Sequence, residues 1–223
     1  MGNKHTQWSS KRKPGITISV GRRLLFIFCG KCTEPYYFEG VMKMISTEFF
    51  KQTKGQTKLE YETEIDPVDP LNMARDVVSV VKKHGGKFED VWVVFDKDSF
   101  LKDDFDNAIH SIKSLNKKNK TYYGTLWSNQ CIELWFILHF EYLQSTLHRD
   151  DYFPKIGKHL NEKYKKADKN IFDKIIKNGG SVEFAMNNAN KLLKANEEKT
   201  YSEKWPATNV VELFEKYKDY LTI

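Results

Sequence analysis

A chain of 223 residues that is 40% apolar, with 15 Phe, 11 Tyr and 5 Trp, can fill a core and is not a disordered polymer. Its formal net charge of +6, from 36 Lys and Arg against 30 Asp and Glu, suits a polyanionic partner, although the acids of residues 58–106 argue against a uniform cationic coat. The absence of a long apolar run, of an apolar segment after the basic N-terminus and of an even cysteine count excludes a membrane span, a signal peptide and a disulfide framework, so the expected compartment is the cytoplasm.

Residues 1–20 read as a flexible basic arm: Lys4, Lys11, Arg12 and Lys13, followed by Arg22 and Arg23, come with no acid. The apolar run 23–29 predicts a strand buried on both faces, which Gly30 breaks. A helix is predicted from Tyr36 to Lys51, with Val41, Ile45 and Phe49 at helical spacing and Pro35 in its first turn. Leu59, Tyr61, Thr63 and Ile65 alternate, which predicts a strand over 57–65. Asp69 is placed to cap a helix through 83, ended by Gly85-Gly86. Val91 to Phe95 is apolar throughout and is the clearest strand. Asp103 or Asp104 opens a helix with Phe105, Ile109, Ile112 and Leu115 inward. A strand over 122–126 leads into an apolar helix from Cys131 to Leu143. Beyond 150 the pattern predicts helices alone, over 152–166, 170–178, 181–196 and 207–220, with Ser181 as an N-cap. The fold class is therefore α/β: an open parallel sheet of about four strands over 21–150, helices on both faces, and a helical extension over 151–223 packed on it.

In such a sheet, ligands sit outside the carboxyl ends of the strands. That rule selects Glu34 after the first strand, Asp96 and Asp98 after the third, and Ser128 and Asn129 after the fourth. Asp96 and Asp98 have the spacing to share a hard divalent cation, Mg²⁺ or Mn²⁺, with Glu34 as third ligand or acid/base group. The plainer reading is that the two aspartates cap the next turn. Cys29 and Cys32 form a C-x-x-C pair with three readings: a zinc site completed by Cys131 and His139, a redox pair, or small buried side chains. Glu133 and His139 lie on the apolar helix about 120° apart. Each is a candidate catalytic group, with a buried network the alternative for Glu133 and a hydrogen-bonded core position that for His139. Lys31 and the basic clusters, including Lys117, Lys118, Lys120 and the lysines of 155–178, are candidates for phosphate contact, with Lys97, Ser128 and Asn129 beside them.

Four segments together resemble the RloB family. They are Thr33-Glu34-Pro35-Tyr36-Tyr37-Phe38, Val91 through Asp98, the stretch Ser128-Asn129-Gln130-Cys131-Ile132-Glu133-Leu134-Trp135-Phe136-Ile137-Leu138-His139-Phe140, and Pro206-Ala207-Thr208-Asn209-Val210. RloB proteins are similar to the Toprim domain of topoisomerases, primases and related nucleases. The resemblance implies a Mg²⁺-dependent (or Mn²⁺-dependent) nuclease acting in bacterial defence against phage by abortive infection. It implies RNA, tRNA among it, before DNA as substrate. The implied partners are an AAA-type ATPase resembling RloA and further copies of the chain. The family reads C-E-G-E-K-T-E-P where this chain reads Phe28-Cys29-Gly30-Lys31-Cys32-Thr33-Glu34-Pro35, so Cys29 stands at the glutamate that serves Toprim enzymes as general acid/base. Three outcomes stay open: Glu34 reaches the site instead, the site holds metal but works poorly, or the chain is a non-catalytic subunit binding an ATPase or nucleic acid.

Overall fold

Two apolar runs form the middle of the sheet. Strand β1 (Ser19–Phe28) lies parallel to β3 (Asp90–Asp96), with Leu24 opposite Asp90 and Phe28 opposite Val94. Successive side chains alternate between faces: Leu24, Phe26 and Phe28 enter one core, and Leu25 and Ile27 the other. Both faces are covered, which is why the run is apolar without interruption. The computed structural model describes residues 18–221. Of the predicted basic arm, residues 1–17 lie outside the described residues, while Ser19 and Val20 begin β1.

Strand β2 (Thr57–Ile65) pairs in parallel with the outer side of β1, and β4 (Tyr122–Asn129) with β3. A fifth strand, β5 (Ala207–Thr208), joins β4 antiparallel and gives the order β2-β1-β3-β4-β5. Helices α2 (Pro70–Lys83) and α3 (Lys102–Ser114) cover the face of Leu25 and Ile27. The other face carries α1 (Thr33–Gln52), α4 (Glu133–Leu138), α5 (Arg149–Leu160), α6 (Ile171–Lys177), α7 (Val182–Ala195) and α8 (Val211–Lys216). Gly40 lets α1 and α6 meet closely, since a Cβ there would stand 2.6 Å from Phe172 Cβ. The predicted caps form: Asp69 accepts from the Asn72 N–H at 2.9 Å and Ser181 from the Phe184 N–H at 3.1 Å.

The departures have local causes. Helix α1 begins at Thr33, so Glu34 sits in its first turn instead of in a loop. Helix α4 stops at Leu138, not Leu143, because outside groups take its last carbonyls: Asn188 Nδ2 bonds Leu138 O at 3.0 Å and the Ser181 N–H bonds His139 O at 3.0 Å. The helix expected over 152–166 ends at Leu160, where Asn161 turns left-handed at φ 54°. Residues 207–220 are not one helix. Thr208 and Asn209 bond Trp127 and Thr125 of β4, and α8 follows. The chain after 150 is thus not helical only. Among the described residues no helix is long and apolar enough to cross a membrane.

Candidate functional site

From β1 the chain moves outward to β2, then returns across β1 to β3. The carboxyl ends of β1 and β3 therefore flank a topological switch point, where open α/β sheets form their ligand crevice. Four acids gather there: Glu34 from the first turn of α1, Asp96 at the end of β3, Asp98 just beyond it, and Glu133 at the start of α4. Glu34 and Glu133 are 9% and 1% exposed. Burial, followed by the charges of Glu34, Glu133 and Asp98, lifts the Asp96 carboxyl well above the usual range. The Ile132 N–H, 3.1 Å from Asp96 Oδ2, works the other way. Burial likewise raises Glu34, opposed by a backbone hydrogen bond and by a hydrogen bond with Asp96. Glu34 and Asp96 are therefore close enough for each to act on the other's carboxyl.

Local structure holds each acid in place. Gly30 is required under Glu34, since a Cβ there would stand 2.3 Å from Glu34 Oε2. Asp98 is left-handed at φ 40°, a conformation that costs a non-glycine residue on the order of 1–3 kcal/mol, and its N–H bonds Gln130 O at 3.0 Å. Its Oδ1 lies 2.7 Å from Arg149 Nη1 but without hydrogen-bond alignment, so that buried oxygen has no hydrogen-bond partner. Burial raises Asp98, and Arg149 and Lys166 oppose the rise. Glu133 accepts from Tyr164 Oη at 3.1 Å and has Lys166 Nζ 3.8 Å away.

The three cysteines are free thiols. Burial first, then Glu34, Asp66, Asp69 and Asp96, push the Cys29 thiol strongly upward, and burial with Glu133 and Asp96 does the same to Cys131. Neither is disposed to be a thiolate ligand or nucleophile, which removes support from the zinc and redox readings. Among the described residues no three His, Cys, Asp or Glu side chains stand ready to hold a metal ion. The oxygen-only donors, with Asp98 Oδ1 making no hydrogen bond, nonetheless match in kind what a hard divalent cation takes.

Other predicted side chains are turned away from these acids, although Ser128 pairs with Asp96 in the sheet. Lys31 is exposed. Lys97 turns back and its Nζ donates to Phe100 O, within its own turn. Ser128 Oγ bonds Thr208 Oγ1 at 2.9 Å and Asn129 Nδ2 bonds Ser202 O at 2.9 Å, so both are spent attaching the C-terminal segment to β4. His139, a candidate catalytic group with a hydrogen-bonded core position as the alternative, takes the core position. Its Nε2 lies 2.9 Å from Tyr37 Oη, which accepts from Trp135 Nε1 at 2.6 Å, and burial pushes the imidazole down to about 3, so it stays neutral. Sequence reasoning missed Arg149 and Tyr164. Lys166 falls among the lysines of 155–178 named for phosphate contact, whereas Arg149 follows a stretch with no periodicity.

A family model described as RloB-like protein matches residues 25–216, and the chain belongs to that family. No curated protein and no solved structure matches it.

Proposed function

With membership of the RloB-like family as the premise, we propose that the chain is a Toprim-like, Mg²⁺- or Mn²⁺-dependent nuclease acting on RNA, tRNA among it, or DNA. The observation that carries the reading is the crowding of Glu34, Asp96 and Glu133, largely buried, beside Asp98 at the switch point, with the Glu34 and Asp96 carboxyls both raised by burial. Such crowding disfavours the folded state unless a cation or a proton relieves it, and strongly perturbed carboxyls in a cleft mark functional sites. Asp96 and Asp98 would hold the cation, with Glu34 as third ligand or acid/base group. When bound, the cation would polarise the phosphodiester and activate the attacking oxygen. Burial raises the Glu34 carboxyl, which favours its holding the proton that a general acid supplies. Service in phage defence, a cytoplasmic location and an RloA-like ATPase partner belong to the same proposal and rest on the family alone.

A second reading has its own support. Cys29 occupies the position of the Toprim glutamate, and no three donors are ready-made among the described residues. On that reading the chain is a catalytically weak subunit that binds a partner ATPase or nucleic acid. Cleavage of labelled tRNA, single-stranded RNA and plasmid DNA with Mg²⁺ or Mn²⁺, comparing the native chain with Asp98→Ala, separates the two. Metal-dependent cutting lost in the variant supports the nuclease. No cutting by the native chain favours the subunit.

A further inference from the structure

We infer that Arg149, with Lys166, is the phosphate-holding element of the carboxylate site, supplied by the start of α5 and the turn between α5 and α6, and parked on the acids Asp98 and Glu133 until a nucleic-acid backbone arrives. The inference rests on the proposed site and adds to it the residues that grip the substrate.

The floor and the rim of the site differ. Glu34 and Glu133 are almost fully buried, whereas the side chains of Asp98, Arg149 and Lys166 are 29%, 34% and 44% exposed. A phosphate approaching from solvent meets the rim first, and two of its three charged groups are cations. Arg149 is held there by more than chance packing. Its backbone N–H bonds Gln130 Oε1 at 2.9 Å, and the Gln130 carbonyl accepts from the Asp98 N–H at 3.0 Å, so one residue fixes both partners.

The guanidinium pairs with Asp98 through one nitrogen alone, Nη1 lying 2.7 Å from Oδ1, which leaves the rest of its planar fork of donors free among the described residues. A structural ion pair would use that fork on the carboxylate. Such a fork matches two phosphate oxygens, a geometry lysine cannot reproduce. The charges also balance: Arg149 and Lys166 bring two positive charges to the acids, the same as one divalent cation. A cation taking Asp98 would free both side chains to turn to the phosphodiester.

The test uses the full chain with two readouts that need no turnover. Fluorescence anisotropy follows a labelled single-stranded RNA over a range of salt, with Ca²⁺ in place of Mg²⁺. Electron paramagnetic resonance follows Mn²⁺ binding. Arg149→Gln keeps the backbone bond to Gln130. It is expected to weaken RNA binding about tenfold. The salt slope should become shallower by about 0.7 for the lost phosphate contact. Mn²⁺ should bind at least as well as to the native chain. Arg149→Lys is expected to keep the slope but lose affinity. Unchanged RNA affinity and slope in Arg149→Gln, with circular dichroism showing a native fold, would overturn the inference and leave Arg149 a counter-ion of Asp98. If the native chain cuts nothing yet Arg149→Gln binds RNA more weakly, the nuclease reading falls and this one stands.

Discussion

Strand β3 carries an aspartate at each end, and the two are treated in opposite ways. At its start Asp90, 3% exposed, has Arg22 Nη1 and Lys216 Nζ each 3.1 Å away and accepts from Tyr217 Oη. At its end Asp96 has one backbone N–H and otherwise faces other acids. The chain can surround a buried carboxylate with cations when only stability is at stake. That it leaves the other end crowded with like charge is what the proposed site would account for.

The sharpest way to break this comparison is to neutralise both ends in turn. Asp96→Asn removes a source of repulsion and should stabilise the apo fold by about 1–3 kcal/mol while abolishing metal-dependent cutting. Asp90→Asn leaves two cations facing each other and should destabilise by about 2–3 kcal/mol. Urea unfolding at pH 8 in EDTA reads both, and a shared sign would sink the contrast. Next, Cys29→Glu puts one more acid among Glu34, Asp66, Asp69 and Asp96. It should lower stability by about 2 kcal/mol in EDTA and regain it with Mg²⁺. A melting temperature indifferent to Mg²⁺ would argue that no cation enters. Gly30→Ala should cost about 1–3 kcal/mol in denaturant titration and dislodge Glu34, since the new methyl overlaps its carboxylate.

The smallest effect lies at the far edge strand. His84 Nδ1 is 2.9 Å from Glu62 and Nε2 3.0 Å from Glu64, and carboxylates only accept, so both ring nitrogens must carry protons. Hydrogen bonding to Glu62 leads in raising this imidazole above its ordinary 6.5. Its contribution is therefore whole below 6.5 and is lost as pH rises through the raised value. His84→Gln should flatten that slope by a few tenths to about 1 kcal/mol. Glu34 and Asp96 also make stability fall with rising pH, since the folded chain keeps protons the unfolded chain gives up, but they act from the ordinary carboxylate range upward. Stability curves of Asp96→Asn and His84→Gln separate the two windows.

Much of the fold could be read from local pattern, because β1, β3 and the caps at Asp69 and Ser181 are settled by neighbours in sequence. Glu34, Asp96 and Asp98 were found because strand ends are readable and the sheet rule ranks them. What escaped was set by distant partners. Strand β5 spans two residues and carries no period, so nothing local distinguishes it from a cap. Ser128 and Asn129 look like ligands only until Thr208 and Ser202 come back to claim them. Glu133 reads as a costly buried acid, and its answer, Tyr164 and Lys166, lies beyond the next helix.

The pairing of β5 with β4 has a consequence for synthesis. Asn209 bonds the backbone of Trp127 and Thr125, some 80 residues upstream, and β4 leads directly into the loop that supports Asp96 and Asp98. While the ribosome is still adding those last segments, β4 lacks its outer neighbour and the carboxylate edge stays unfinished. A prematurely terminated chain would carry all four acids yet have no assembled edge to use them, so whatever chemistry they perform is withheld from nascent and truncated copies.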